Sequence, residues 1–213
     1  LNIEKDGYPQ YIRHLGETAG VTISGYGDLL VALEQRIAFF RQAGCVVSDH
    51  ALDAVPYAEA GEREVADIFR KAMDGGIVSR EEEWKFKTSL LIFLGKQYAK
   101  HGWVMQYHIN ANRNNNTRML SLIGPDTGYD SMNDAPAAHA LTKLLDALEK
   151  EEALPKTILY SLNPTQNHLL VAIMGSFQGG SVPGKMQLGS AWRFNDTKEG
   201  MIAQMKALAE IGL

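Results

Sequence analysis

Apolar residues along this chain follow two alternating spacings, one typical of amphipathic helices and one typical of buried strands. The regular pattern starts at Asp28, which we predict to be a helix N-cap, and continues to Gly44, where a strand-like run at 45–48 follows. Similar units come next, with helices predicted at 81–101, 137–151 and 165–177, strands at 103–107, 157–162 and 185–191, and a last helix at 197–211.

Four successive helix-then-strand units indicate a parallel sheet joined by helical crossovers. The strands are short and mostly apolar, as expected when both faces of a sheet are covered. A Rossmann sheet and a (β/α)₈ barrel both fit this order. The Gly-x-Gly-x-x-Gly motif does not follow any predicted strand, which disfavours the dinucleotide-binding version. The glycine-rich run at 175–180 lies between a helix and a strand, and we predict a connecting loop there.

The remaining segments suggest a three-part organisation. Residues 1–27 are broken by glycine and proline, and we predict a loop-rich lead-in with short helical pieces. Residues 54–101 contain a helix at 62–73, the turn Gly75-Gly76 and the long helix at 81–101, so we predict a helical insertion. The partial barrel domain would then consist of residues 28–53 and 102–213.

Composition narrows the classes of function. The formal net charge of −4 argues against a nucleic-acid-binding surface, which would be basic. The chain has one cysteine, Cys45, which favours a reducing, cytoplasmic location and a packing role for the thiol. No stretch has the apolar length of a membrane span or the pattern of a signal peptide, so we expect no membrane partner.

Candidate chemistry follows from the strand ends, because barrels place functional groups at the carboxyl ends of their strands. His50, His108, Asn163 and Trp192 end the four predicted strands. Imidazole serves near neutral pH as a general acid or base, or as a metal ligand, so His50 and His108 become candidates for catalysis. A structural role for a lone strand-end histidine is the alternative.

The loop at 110–118 is the most informative polar segment. Gln106 and His108 precede it and share one strand face, because side chains alternate along a strand. Arg113 suits a carboxylate, which it can grip with two parallel hydrogen bonds. Asn114 and its neighbouring asparagines can bond sugar hydroxyls, although asparagine runs are also common in surface turns. The sequence contains no His-x-His, no His-Glu-x-x-His, no cysteine pair and no Gly-x-Ser-x-Gly.

Several longer motifs resemble those of the uronate isomerase family. They are VSDHALD at 47–53, GWVMQYHI at 102–109, RNNN at 113–116, GPDTGYDS at 124–131, PKTILY at 155–160, PGKMQ at 183–187 and FND at 194–196. The match runs in order from about residue 29 onward. Three positions depart from the family pattern: Asn110 and Asn112 replace Gly and Leu, and Arg193 stands where an aromatic residue is usual.

The resemblance implies an aldose–ketose isomerase on an amidohydrolase-like (β/α)₈ barrel. It implies interconversion of D-glucuronate with D-fructuronate and of D-galacturonate with D-tagaturonate, in a cytoplasmic homo-oligomer. The strands here would be the fourth to seventh of eight, so this sequence would be an internal fragment, inactive by itself. One divalent, zinc-like metal is implied, with His108 as the one ligand in this chain and the others on missing strands.

The resemblance and the loop together suggest roles for individual residues. Arg113 and Asn114 would bind the substrate, Gln106 and Trp192 would line its pocket, and His50 and His108 would carry the catalysis. Two alternatives stay open. One is a metal-dependent hydrolase on the same barrel, for which Asn163 stands where a histidine is needed. The other is a non-catalytic assembly module, in which the segment 54–101 makes the contacts.

Overall fold

The computed structural model describes residues 1–179 and 182–210. The helices are α1 (Tyr8–Ala19), α2 (Tyr26–Gln42), α3 (Glu62–Met73), α4 (Arg80–His101), α5 (Thr117–Ile123), α6 (Ala138–Glu149), α7 (Asn167–Gly175) and α8 (Lys198–Glu210). The strands are β1 (Val47–Leu52), β2 (Val104–Ile109), β3 (Ala111–Asn112), β4 (Ser131–Met132), β5 (Thr157–Ser161) and β6 (Met186–Leu188). Short 3₁₀ turns occupy Pro164–Gln166 and Arg193–Asn195.

Four of the strands form one parallel sheet in the order β1-β2-β5-β6. Each strand is joined to the next by at least one helix, so the predicted helix-then-strand alternation is confirmed. This parallel α/β architecture fits the part of a (β/α)₈ barrel that the family resemblance implies. The register of β1 and β2 pairs His50 with Tyr107 and Ala51 with His108. That register brings the carboxyl ends of neighbouring strands to one edge of the sheet.

The hydrophobic core lies between the sheet and its helices. Met105, Tyr107 and Ile109 of β2 are buried on this side. They lie in the same core as the apolar stripe of α6, which includes Leu144 and Leu148. On the opposite side of β2, the alternate residues Val104, Gln106 and His108 are only half-buried. The fold therefore has a packed helix-facing side and a more open side that carries polar groups.

Some element boundaries differ from the sequence prediction. The strand predicted at 45–48 begins at Val47 and continues through His50 to Leu52. Asp28 is the third residue of α2 rather than its N-cap. Its carboxylate accepts hydrogen bonds from the backbone N–H of Gly25 and from Ser24, which still stabilises the helix start. The predicted ends of the glycine-rich loop at residue 180 and of the last helix at residue 211 lie outside the described residues.

The lead-in contains a full helix that the sequence analysis predicted only as short pieces. Helix α1 has Pro9 in its first turn and ends at Gly20, whose left-handed φ of 67° suits glycine. Gly16 lies inside this helix and is buried. Glycine is required there because a Cβ would collide with the Val21 carbonyl oxygen. Of the glycines that predicted a loop, Gly16 thus allows close packing and Gly20 ends helix α1.

Helices α3 and α4 form the segment predicted as an insertion. Helix α3 packs on α1, α2 and α4, and α4 also packs on α2, α6 and β2. Gly95 allows the close approach of α4 to α6, since a Cβ there would overlap the side chain of Leu148 in α6. Helix α4 thus shares the core of the sheet, and the division into insertion and barrel stays a prediction. In the part of the chain that the structure describes, no helix is long and apolar enough to cross a membrane.

Candidate functional site

His108 and Asp49 form a hydrogen-bonded pair at the open side of the sheet. Asp49 Oδ1 lies 2.6 Å from His108 Nδ1. The two residues face the same way because His108 pairs with Ala51, which is two residues after Asp49 on β1. The carboxylate accepts the Nδ1 hydrogen, so in the neutral ring Nε2 is the nitrogen left to accept a proton. The pair is therefore built for acid/base chemistry at Nε2.

Two aromatic rings hold the imidazole of His108. The Tyr160 ring stacks on it with centroids 4.2 Å apart, and the Trp192 ring meets it edge-on at 4.6 Å. Gln106 Nε2 donates to the Tyr160 hydroxyl at 3.4 Å. Burial, followed by the charge of Asp49, raises the pKa of Tyr160. A Cβ at Gly189 would overlap the Tyr160 ring, so the absence of a side chain there makes this stack possible.

His50 lies on the other side of the sheet, which overturns the expectation that it shares a cavity with His108. Its Nε2 is 2.9 Å from the hydroxyl of Tyr98 in α4, and its ring packs against Tyr107 in the core. The physical reason is strand alternation: His50 is one residue from Asp49, so the two side chains point to opposite faces. Burial lowers the pKa of His50 to about 4, so its ring is neutral near neutral pH. This placement favours the structural role that the sequence analysis left open for His50.

The buried neutral His50 predicts a pH-dependent stability. Between its ordinary pKa of 6.5 and its folded pKa of about 4, the unfolded chain binds a proton at this site that the folded chain does not. Stability should therefore fall as the pH drops through this range, by about 3 kcal/mol from His50 alone, and level off below about pH 4. Urea unfolding at a series of pH values measures this slope. His50→Gln should flatten it; an unchanged slope in that variant would assign it to other groups.

Arg113 lies in the loop after β2, close to two carboxylates. Its Nη1 is 3.5 Å from Asp130 Oδ2 and 3.8 Å from Asp126 Oδ1. These separations are longer than a good charge-assisted hydrogen bond, so the guanidinium keeps its donors for another acceptor. Arg193 also reaches Asp130, with Nη2 at 2.8 Å from Oδ2. Arg193 directly follows Trp192, so this ionic cluster adjoins the His108 site.

The asparagines of the loop build its shape. Asn114 has a left-handed φ of 55°, and its side-chain oxygen accepts from the backbone N–H of Asp126. Asn115 donates to the Asn112 carbonyl oxygen and to Ser131, and Asn116 caps α5. The expectation that Asn114 binds a sugar hydroxyl is therefore not supported by its placement. Its side chain is engaged within the turn, which is the alternative that asparagine runs in turns suggested.

A second asparagine network fixes the ends of β2 and β5. Asn110 is buried, donates to Asn133, and accepts from the Ser161 hydroxyl. Asn163, which the sequence placed at a strand end, donates to the Asn133 carbonyl oxygen and accepts from Thr165. These contacts hold the loop after β2 against the end of β5. Asn110, a departure from the family pattern, is thus accommodated by hydrogen bonds.

The described part of the chain does not supply a full set of metal ligands. Within residues 1–179 and 182–210, no three His, Cys, Asp or Glu side chains are grouped so that they could hold a metal ion. His108 offers one free nitrogen, and Asp49 occupies the other. A protein zinc site needs three or four ligands.

The site includes residues that sequence reasoning missed. Asp49 stood inside the quoted motif at 47–53 without an assigned function, because its role depends on which face of β1 it occupies. Tyr160 and Asp130 stood inside quoted motifs without an assigned function. One signal was available, namely the alternation of side chains along each strand. Asp49 is next to His50 in β1, and His108 is next to Tyr107 in β2, so each of the two lies on the face opposite to its neighbour. The sequence does not state the register that would make this signal decisive.

Comparisons with known proteins agree with this architecture. The sequence model of a family described as glucuronate isomerase matches residues 1–213. The uronate isomerase of Caldicellulosiruptor saccharolyticus is 56% identical over 213 residues, which are 100% of this chain and 46% of that protein. The crystal structure of the Thermotoga maritima uronate isomerase has a TM-score of 0.89 at 30% identity, covering 99% of this chain and 45% of its own.

A second solved structure gives the same picture. The glucuronate isomerase from Caulobacter crescentus has a TM-score of 0.86 at 26% identity, covering 99% of this chain and 42% of its own. The chain therefore spans less than half the length of each of these proteins. Its helices and sheet nevertheless superpose over almost their whole extent.

Proposed function

Because this chain belongs to the glucuronate isomerase family, we propose that the full-length protein interconverts hexuronates: D-glucuronate with D-fructuronate, and D-galacturonate with D-tagaturonate. The observation that carries the proposal is the Asp49–His108 pair beside the loop of Arg113. The pair supplies an acid/base group, and the guanidinium supplies a site for an acid substrate. Both are what an aldose–ketose isomerase of sugar acids requires.

His108 is proposed as the acid/base group of the reaction. Isomerisation removes hydrogen from C2, delivers hydrogen to C1, and shifts the carbonyl from C1 to C2. Protons must therefore leave one oxygen and reach the other as the carbonyl moves. Nε2 of His108 is free to carry such a proton, since Asp49 holds Nδ1. Asp49 orients the ring through the hydrogen bond from Nδ1.

Arg113 is proposed to bind the carboxylate of the substrate. Its guanidinium is 36% exposed and is not tightly bonded to either neighbouring acid. A carboxylate could take two of its donors in parallel. The aromatic rings of Tyr160 and Trp192 give the sugar an apolar wall, and Gln106 lies beneath Tyr160.

A divalent, zinc-like metal remains a prediction for the full-length protein. His108 Nε2 is the one imidazole nitrogen that this site offers, and one nitrogen cannot hold a metal and transfer a proton at the same time. We assign the role of proton carrier to Nε2 of His108. The cytoplasmic location and the homo-oligomeric state stay predictions from the family resemblance. The names of the relatives above favour isomerisation over the metal-dependent hydrolase.

The test is a direct assay of the full-length protein with D-glucuronate labelled with ¹³C at C1. Isomerisation converts the labelled C1 from an anomeric carbon into the hydroxymethyl carbon of a ketose, and NMR distinguishes these two carbons by chemical shift. We expect this conversion and its reversal from D-fructuronate. A parallel assay with ester and amide substrates serves as the control. Hydrolysis of these substrates, with the labelled C1 of D-glucuronate remaining an anomeric carbon, would support the hydrolase instead.

A further inference from the structure

Asp130 is a buried carboxylate shared by two arginines. Its side chain is 4% exposed, and its Oδ2 lies 2.8 Å from Arg193 and 3.5 Å from Arg113. Its other oxygen accepts the backbone N–H of Asn114 at 2.9 Å. A carboxylate taken out of water is costly unless it is paired and hydrogen-bonded. Asp130 meets this condition by joining the loop of Arg113 to the segment that carries Arg193.

The bond to Arg193 acts on the residue beside it. Arg193 adopts a left-handed φ of 57°, which a long side chain takes only at an energetic cost. The short ion pair offsets that cost and fixes the direction of the backbone at Trp192. The indole of Trp192 in turn meets the His108 ring edge-on at 4.6 Å. The position of Trp192 over His108 thus depends on a contact to Asp130.

We infer that Asp130 is a positioning residue that, through Arg193, sets Trp192 against His108 and, through the Asn114 backbone, fixes the loop of Arg113. This inference rests on the proposed function for its effect on catalysis. The two arginines have different tasks in it: Arg193 is committed to Asp130 by its short contact, and Arg113 remains available to the substrate.

The segment that carries Arg193 has a second anchor, so the contact between Asp130 and Arg193 can be removed without unfolding the site. Asn195 is buried and its side-chain N–H₂ donates to the backbone oxygens of Ser161 and Leu162. Removing the charge of Asp130 should therefore move Trp192 while the end of β5 stays in place. Asp130→Asn preserves the shape of the side chain and can still accept the Asn114 N–H.

The experiment uses full-length protein labelled with 5-fluorotryptophan and observed by ¹⁹F NMR. Trp192 is assigned by Trp192→Phe, and the resonances of Trp84 and Trp103 report whether the rest of this chain is folded. We expect Asp130→Asn and Arg193→Gln to shift the Trp192 resonance alike. The kcat/KM for D-glucuronate should fall roughly tenfold in each, since small misplacements of catalytic groups are costly. The double variant should fall no further, because both act through one contact.

Asp126→Asn is the matched control. Asp126 is on the same loop and also near Arg113, but its side chain is 75% exposed. It should leave the Trp192 resonance unchanged. Arg193→Lys should keep the Trp192 resonance close to its wild-type position. A Trp192 resonance that stays at its wild-type position in Asp130→Asn overturns the inference. The NMR comparison needs no turnover, so a protein that shifts the resonance but isomerises no uronate would refute the proposed function alone.

Discussion

Replacing His108 with Gln is expected to lower kcat for hexuronate isomerisation in the full-length protein by roughly 100- to 10,000-fold. Glutamine keeps a hydrogen-bonding group near Asp49 and Tyr160 but cannot take up or release a proton near neutral pH. The loss should therefore appear in kcat, while KM changes little because Arg113 and the aromatic wall remain. Steady-state kinetics with D-glucuronate measures both constants.

His50→Gln provides the matched control for this variant. His50 is on the neighbouring strand, but it faces Tyr98 and the helices rather than the open side of the sheet. Glutamine can keep the hydrogen bond to Tyr98, so the folded variant should retain the wild-type kcat. Equal losses in the two variants would mean that these positions act through the fold, and His108 would lose its catalytic role. A large loss in His50→Gln alone would reverse the assignment of the two histidines.

The contrast between these histidines shows what strand periodicity can and cannot predict. Both were found from the sequence because each follows an apolar run. Alternation along β2 correctly placed Gln106 and His108 on one face, since that argument stays within a single strand. Whether His50 faces the same side depends on the register between β1 and β2, which is set by contacts between strands. The register pairs His50 with the buried Tyr107, and this excludes it from the open side.

The order of elements was predictable because apolar periodicity reflects burial. Helices α3 and α4 and the strands β2 and β5 lie within a few residues of their predicted bounds. The antiparallel pair of β3 and β4 and the short helix α5 between them were not predicted. Their stability comes from asparagine side chains and turn geometry rather than from an apolar stripe, since α5 has no buried residue. Such segments carry little signal in hydrophobic spacing.

The candidate site was predicted in its parts but not in its connections. Arg113 and Trp192 were found from the loop and from the strand-end rule. No function was assigned to Asp49 or Asp130 from the sequence, because the role of a carboxylate depends on the group that it contacts. The partner of Asp49 is His108 and that of Asp130 is Arg193, and each is more than fifty residues away in sequence. Asn114 shows the reverse situation. Its polar side chain suggested a ligand, but the turn that it builds uses its oxygen.

Replacing Arg113 with Met is expected to raise KM for hexuronates steeply in the full-length protein. Methionine keeps much of the apolar stem but removes the charge and the paired donors that a carboxylate would use. Loss of such a charge-assisted contact costs about 2–4 kcal/mol, which corresponds to a decrease in kcat/KM of roughly 30- to 1,000-fold. Because the contact is remote from C1 and C2, most of this decrease should come from KM.

A substrate without the carboxylate tests the assigned partner of Arg113. With an uncharged aldohexose such as D-glucose, the wild type should be a poor catalyst, and Arg113→Met should not weaken it further. Arg118→Met is the matched protein control, since Arg118 is exposed in the following helix. It should leave the kinetics with D-glucuronate unchanged. If Arg113→Met impairs the acid and the neutral sugar equally, the guanidinium supports the loop through Asp130 and does not bind the carboxylate.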